Sequence, residues 1–144
     1  MTLPQQGTLL LHANCVVYDG RGVLVVGPSG SGKSALSLQL IALGAKLVSD
    51  DRTILQSRNG TLVASCPSAI SGMIEAYGVG ILRTEPESEA VIRLVIDLGQ
   101  AETRRLPPRR SVTFLNIAIE LVHGSNGTHF SSAVLCYLLG GRQE

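Results

Sequence analysis

The segment Gly27-Pro28-Ser29-Gly30-Ser31-Gly32-Lys33-Ser34 constrains this chain more than any other feature. It fits G-x-x-x-x-G-K-[ST] in full. The aliphatic run Val23-Leu24-Val25-Val26 precedes it, and Leu36, Leu40 and Leu43 follow at helical spacing. A buried strand, a glycine-rich loop and a helix start are the parts of a phosphate-binding loop. Glycines let successive backbone N–H groups turn inward on phosphate oxygens, and the positive end of the helix adds to them. Lys33 is placed to reach the β- and γ-phosphates, and the Ser34 hydroxyl to hold Mg²⁺. A plain Gly/Ser turn is the bland alternative, but so much flexible backbone at a helix start calls for a ligand. The pattern implies a nucleoside-triphosphate site and leaves the phosphate acceptor open.

The rest of the chain reads as α/β with a mixed sheet. Residues 9–11 and 15–18 predict short strands, and Asp19-Gly20 a hairpin turn before the strand at 23–26. A helix is expected over 33–43 with Gly44 as its cap, then a strand at 46–49. Residues 53–56 and 61–64 flank Asn59-Gly60 as a second hairpin. Residues 91–98 predict a strand, 114–122 fit helix or strand equally, and 128–139 predict a terminal helix. At 144 residues the chain is expected to form one domain, 1–144, able to bury roughly two-thirds of its unfolded surface.

Charge narrows the partners. Twelve Lys and Arg stand against eleven Asp and Glu, a net charge of +1, without the basic excess of a general nucleic-acid binder. Only two of the twelve are lysines, Lys33 and Lys46, the second read as a surface residue. Cys15, Cys66 and Cys136 lack metal spacing and read as small buried apolar side chains in a reducing compartment. No apolar run has the ~18–20 residues of a membrane span. Residues 1–12 show no basic leader, so a cytoplasmic location is expected.

A phosphate loop usually works with a carboxylate at the end of an apolar strand. Asp97 ends one such strand. Asp50-Asp51 end another, and two adjacent carboxylates there are costly without a cation or proton donor nearby. A metal–phosphate site supplies that cation.

Four segments together resemble the catalytic domain of bacterial HPr kinase/phosphorylase, which phosphorylates a serine of the phosphotransferase-system carrier HPr. They are Leu11-His12 with Gly20-Arg21-Gly22-Val23-Leu24-Val25; the phosphate loop; Gly44-Ala45-Lys46-Leu47-Val48-Ser49-Asp50-Asp51-Arg52; and Ile74-Glu75-Ala76-Tyr77-Gly78-Val79-Gly80-Ile81-Leu82. The resemblance covers residues 9–98, and the fourth segment is its most specific part. It implies a single P-loop kinase domain of the HPr kinase/PEP carboxykinase-like fold, with few helices. ATP and Mg²⁺ are the implied cofactors, with Gly27, Pro28, Ser29, Gly30, Ser31, Gly32, Lys33 and Ser34 holding the nucleotide. By similarity, Lys33 contacts the transferring phosphate, and Ser34 and Glu75 hold the metal. Asp51, or Asp50 beside it, takes the proton of the target serine. His12 matches a family histidine able to bias the acidic pair or contact phosphate. Asp97 has no counterpart and is read as structural. HPr or a similar small carrier is the implied partner, and homo-oligomers, hexamers in the family, the implied assembly.

Two departures qualify the resemblance. Tyr77 stands where the family usually has Arg, and the stretch Pro107-Pro108-Arg109-Arg110 lacks the Gly-Arg associated with dephosphorylation. A kinase with weak or absent phosphorylase activity is therefore expected, in a short form without the family's N-terminal domain. Arg104, Arg105, Arg109 and Arg110 read either as a solvated basic loop or as a clamp for phosphate or an acidic protein edge. A small-molecule kinase and a non-catalytic nucleotide-sensing module remain the alternatives.

Overall fold

A short hairpin brings the phosphate loop into the middle of a sheet. Strand β2 (Ala13–Tyr18) turns through Asp19-Gly20, both at positive φ (51° and 75°), into β3 (Arg21–Val26), and the loop leaves the end of β3. Two consecutive left-handed residues make the tight turn that Asp-Gly favours. Gly22 serves a different purpose. A Cβ there would lie 2.7 Å from the carbonyl oxygen of Val91, so only glycine lets the neighbouring strand come this close.

The computed structural model describes residues 7–144. The expectation about a leader falls partly on residues 1–6, outside the described residues. The other strands are β1 (Thr8–Leu11), β4 (Lys46–Ser49), β5 (Thr53–Arg58), β6 (Thr61–Ser65), β7 (Met73–Ala76), β8 (Gly80–Arg83), β9 (Glu89–Ala101), β10 (Arg110–Phe114) and β11 (Ile117–Gly124). The helices are α1 (Lys33–Ala42) and α2 (Phe130–Gly140), with a single 3-10 turn at Ser68–Ile70. The main sheet runs β1-β5-β6-β9-β3-β2-β4, and β11 joins β9 and carries β10. The result is the α/β fold with a mixed, curled sheet and few helices.

Strand β9 holds this sheet together. It pairs parallel with both β3 and β11, and antiparallel with β6. Since β3 and β4 both run antiparallel to β2, β3, β4, β9 and β11 share one direction. Their C-terminal ends, Val26, Ser49, Ala101 and Gly124, therefore gather at one end of the sheet, where open α/β sheets place their ligands.

Alternating side chains feed two cores. Val23, Val25, Leu94 and Ile96 face α1 and α2, meeting Leu36, Leu40, Val134 and Leu138. Leu24 and Val95 face the other way, against Leu55, Leu62 and Ile119 from the wings that curl beneath. Burying strands on both faces requires near-continuous aliphatic runs, as β3 and β9 have.

Several expectations are refined. The ambiguous 114–122 segment is strand, entered by a turn at Leu115-Asn116 (φ 51° and 65°). Leucine in a left-handed turn gives no sequence signal, which hid this hairpin. The hairpin β7–β8 lay unread as structure inside the fourth motif. Gly44 does end α1, at φ 116°, with its N–H bonded to the Ile41 carbonyl at 3.0 Å. Of the cysteines only Cys15 is buried; Cys66 is half-buried and Cys136 exposed, because it lies on the solvent face of α2. Burial alone pushes the Cys15 thiol well up, making it inert. No helix among the described residues is long and apolar enough to cross a membrane.

Candidate active site

The site is built where the start of β2, the end of β3 and the end of β4 converge. The β4 chain turns sharply after Ser49, with Asp51 in a left-handed conformation (φ 71°). The first residues of β2 hold that turn. Ala13 N–H donates to the Asp51 carbonyl at 3.2 Å, and Asp51 N–H donates to Asn14 Oδ1 at 2.8 Å. Strain of about 1–3 kcal/mol at a non-glycine residue persists only when its surroundings fix it, as they do here.

Asn14 is the hub of the site, and sequence reasoning missed it. It is 1% exposed. Its amide nitrogen lies 2.9 Å from Asp50 Oδ1, 3.1 Å from Ser37 Oγ and 3.3 Å from Ser34 Oγ. One side chain thus joins the acidic pair to the first turn of α1. The only hint in the sequence is a single polar residue in the otherwise apolar run Ala13-Asn14-Cys15-Val16-Val17.

The two aspartates are placed differently. Asp50 Oδ1 also accepts from Ser34 Oγ at 2.9 Å, and its Oδ2 accepts the Glu75 N–H at 3.0 Å, docking hairpin β7–β8 on the site. Asp51 points into the open cleft. Its Oδ1 meets His12 Nε2 at 2.6 Å, and its Oδ2 carries no hydrogen bond among the described residues. A carboxylate accepts, so His12 Nε2 is the donor. Both partners are largely exposed, so the pair adds at most about 1 kcal/mol to stability.

Along the phosphate loop, Gly27, Gly30 and Gly32 have φ of 148°, 81° and 103°. A Cβ on Gly27 would meet Ser31 Oγ at 2.6 Å. Gly32 precedes the first residue of α1 and offers no side-chain cap, and the first turn holds no acid, leaving the helix's positive end free for an anion. Lys33 is 7% exposed, and its ammonium donates to the carbonyls of Gly27 (2.7 Å) and Pro28 (3.1 Å), where it borders the same cleft. Ser31 Oγ is buried without a partner. A curled glycine backbone, an uncapped helix end, a buried ammonium and an orphaned hydroxyl together fit a polyphosphate.

That cleft measures ≈ 630 Å³ and is lined by His12, Lys33, Asp51, Glu75, Tyr77 and Val79 among others. Tyr77 is fully exposed at the hairpin tip. No three His, Cys, Asp or Glu side chains form a cage among the described residues. The nearby oxygens of Ser34, Asp50, Asp51 and Glu75 are hard donors that fit Mg²⁺ completed by phosphate and water.

The remaining sequence candidates lie outside the site. Asp97 Oδ1 accepts the Gly99 N–H at 2.8 Å, shaping its own turn. Lys46 pairs with Glu85 on the surface. Arg110 pairs with Glu102 at 2.5 Å, and Arg109 donates to the Arg142 carbonyl. These contacts tie the β9–β10 loop to its own strand end and to the C-terminal tail.

Residues 6–123 match the family described as HPr Serine kinase C-terminal domain. The HPr kinase/phosphorylase of Clostridium botulinum (strain Eklund 17B / Type B) is 42% identical over 72 residues, 50% of this chain and 24% of that protein. The HPr kinase/phosphorylase of Acidovorax sp. (strain JS42) is 33% identical over 135 residues, 81% of this chain and 42% of that protein. The chain therefore spans less than half the length of these relatives. The solved structure of the Hpr(Ser) kinase/phosphatase from Coxiella burnetii matches with a TM-score of 0.74 at 28% identity, covering 88% of this chain and 91% of that one. With more than half of its length matched, and with its fold shared by that enzyme, the chain belongs to the HPr Serine kinase C-terminal domain family.

Proposed function

We propose that this domain transfers the γ-phosphoryl group of ATP to a serine hydroxyl of HPr or a similar small carrier protein. The observation that carries the reading is the hydrogen-bonded chain His12–Asp51–Asn14–Asp50–Ser34, which ties a free carboxylate oxygen to the phosphate loop. A serine hydroxyl ionises far above neutral pH, so a carboxylate must take its proton as the oxygen attacks phosphorus. Asp51 fits that role, since it faces the open cleft while Asp50 is committed to three donors. Lys33 and the loop N–H groups stabilise charge on the phosphoryl oxygens. Mg²⁺ held by Ser34 and Glu75 would neutralise phosphate charge there. His12 orients Asp51.

Intact mass of HPr after incubation with the domain, ATP and Mg²⁺ tests the reading. The expected result is a gain of one phosphate, lost in Asp51→Asn and Lys33→Ala. Tight ATP binding without transfer would favour a nucleotide sensor instead.

Phosphorylase activity is proposed to be weak or absent, because the hairpin tip offers Tyr77 rather than a cation to an attacking phosphate. Rapid pyrophosphate release from phosphorylated HPr and inorganic phosphate would sink this. Self-association is proposed as well, supported by the exposed Tyr77, Val79 and Ile81 on one hairpin. Light scattering of the purified chain reads it directly.

A further inference from the structure

Strand β9 is partnered residue by residue from Glu89 to Asp97, except at one place. β6 partners Glu89 to Val91, β3 partners Ile92 and then Leu94 to Asp97, and β11 joins from Leu94. Arg93 falls in the gap: the β3 register slips between Gly22 and Val23, and none of the three neighbours supplies a partner for it. Such a bulge re-aims a side chain. The Arg93 guanidinium is exposed and holds no hydrogen bond or ion pair among the described residues, while the charges around it are engaged. Arg21 pairs with Asp19 at 2.9 Å, Arg58 pairs with Glu89 at 2.8 Å, and Glu120 accepts from the Tyr137 hydroxyl. Arg93 lines a cleft of ≈ 440 Å³ between the starts of β3 and β11 and the end of α2. Leu62, Ile92, Leu94, Ile119 and Leu138 line it too, each no more than 9% exposed, so its floor is the apolar core. The cleft lies at the starting ends of the parallel strands, whereas the phosphate loop lies at their far ends, and it shares no lining residue with the catalytic cleft.

We propose that this cleft binds a small organic monocarboxylate with an apolar body, at a site separate from the phosphotransfer centre. A guanidinium meets a carboxylate through two parallel N–H···O bonds, and Arg93 has its donors unspent. The apolar body covers the core residues of the floor and removes them from water. Charge selects a monoanion. The lining holds two guanidiniums, Arg21 and Arg93, against the one carboxylate of Glu120. Helix α2 brings its C-terminal, negative end to the same cleft, which with Glu120 disfavours a polyanion. Burial and the Glu120 hydrogen bond push the Tyr137 hydroxyl up to about 12, so it stays neutral and adds no second negative charge. A polyphosphate would find neither a glycine cradle nor a helix N-terminus here, and a neutral apolar molecule would leave Arg93 unused. The size lies within the ~300–1,000 Å³ range of small-molecule sites.

Calorimetry of the chain with 3-phenylpropionate and with octanoate tests the site, with acetate and 3-phenylpropan-1-ol as controls for the body and the charge. At least one of the two carboxylates is expected to bind at a single site, about tenfold or more tightly than either control. Arg93→Gln should weaken that binding about tenfold or more, and Arg93→Lys less. The melting temperature without ligand should stay that of the parent in both, because Arg93 is exposed and unpaired. Ala118→Trp, at an exposed position lining the cleft, should fill it and abolish binding. Absence of saturable binding by both carboxylates would overturn the proposal. So would equally tight binding of the alcohol, or full affinity in Arg93→Gln and Ala118→Trp. Binding lost in Lys33→Ala but kept in Arg93→Gln would place the carboxylate at the phosphate loop and overturn it too.

Discussion

Asn14 shows how much a single buried amide can organise. It accepts from the Asp51 backbone and faces Asp50, Ser34 and Ser37 with its donors. Asn14→Ala leaves these groups short of partners in a buried place, at about 1–3 kcal/mol each for those left unsatisfied. The expected outcome is a lower melting temperature together with a larger loss in kcat than in ATP affinity. Asn14→Asp tests position against charge: it keeps the shape, sets a third carboxylate beside Asp50 and should also lose activity. A purely structural role would instead move stability and leave the activity of the folded fraction intact. The proposed reactive residues are legible in the sequence, because phosphate chemistry demands glycines, a lysine, a hydroxyl and carboxylates at strand ends. Asn14 is not, because its function depends on a strand register that only folding reveals.

At the scale of elements, turns with the right residues announced themselves and turns without them did not. Asp19-Gly20 and Asn59-Gly60 adopt consecutive left-handed conformations, as their composition demands, whereas Leu115-Asn116 adopts the same pair with a residue that disfavours it. Helix α2 begins at Phe130, two residues later than the apolar pattern suggested, well within the usual uncertainty of helix ends. Strand β9 runs longer at both ends than its aliphatic centre indicates, because pairing with β6 and β11 extends it. Gly22→Ala should destabilise by about 1–3 kcal/mol in denaturant titration, since the new methyl would drive β3 away from the Val91 carbonyl. The β9–β10 loop has a pH signature. The hydrogen bond from Arg110 holds the Glu102 carboxyl below its usual range. Its stabilisation is therefore complete above the ordinary glutamate range and disappears as pH falls through the lowered value. Glu102→Gln should reduce the melting temperature at neutral pH and match the parent in strong acid.

Over the whole molecule, two cores share the same central strands, so β9 supports both. Ile96, fully buried among the helices, is flanked by Val95 on the opposite face. Ile96→Ala should cost about 2–5 kcal/mol, a large part of the ~5–15 kcal/mol typical of a domain. Circular dichroism of the variant during urea titration reads this directly. The order of the chain carries one more consequence. His12, Asn14, the phosphate loop and both aspartates all lie within residues 12–51, on β2, β3, α1, β4 and the turns at either end, whereas Glu75 on β7 and the whole of β9 join them from farther along the sequence. Closing a short loop costs less entropy than closing a long one, so the segment bearing most of the proposed reactive groups can gather first and the distant strand can lock it afterwards. Refolding kinetics should then show mutations at Val16 or Leu40 slowing folding, while mutations at Ile119 mainly speed unfolding. The chemistry of this protein would be assembled early, and its permanence supplied late.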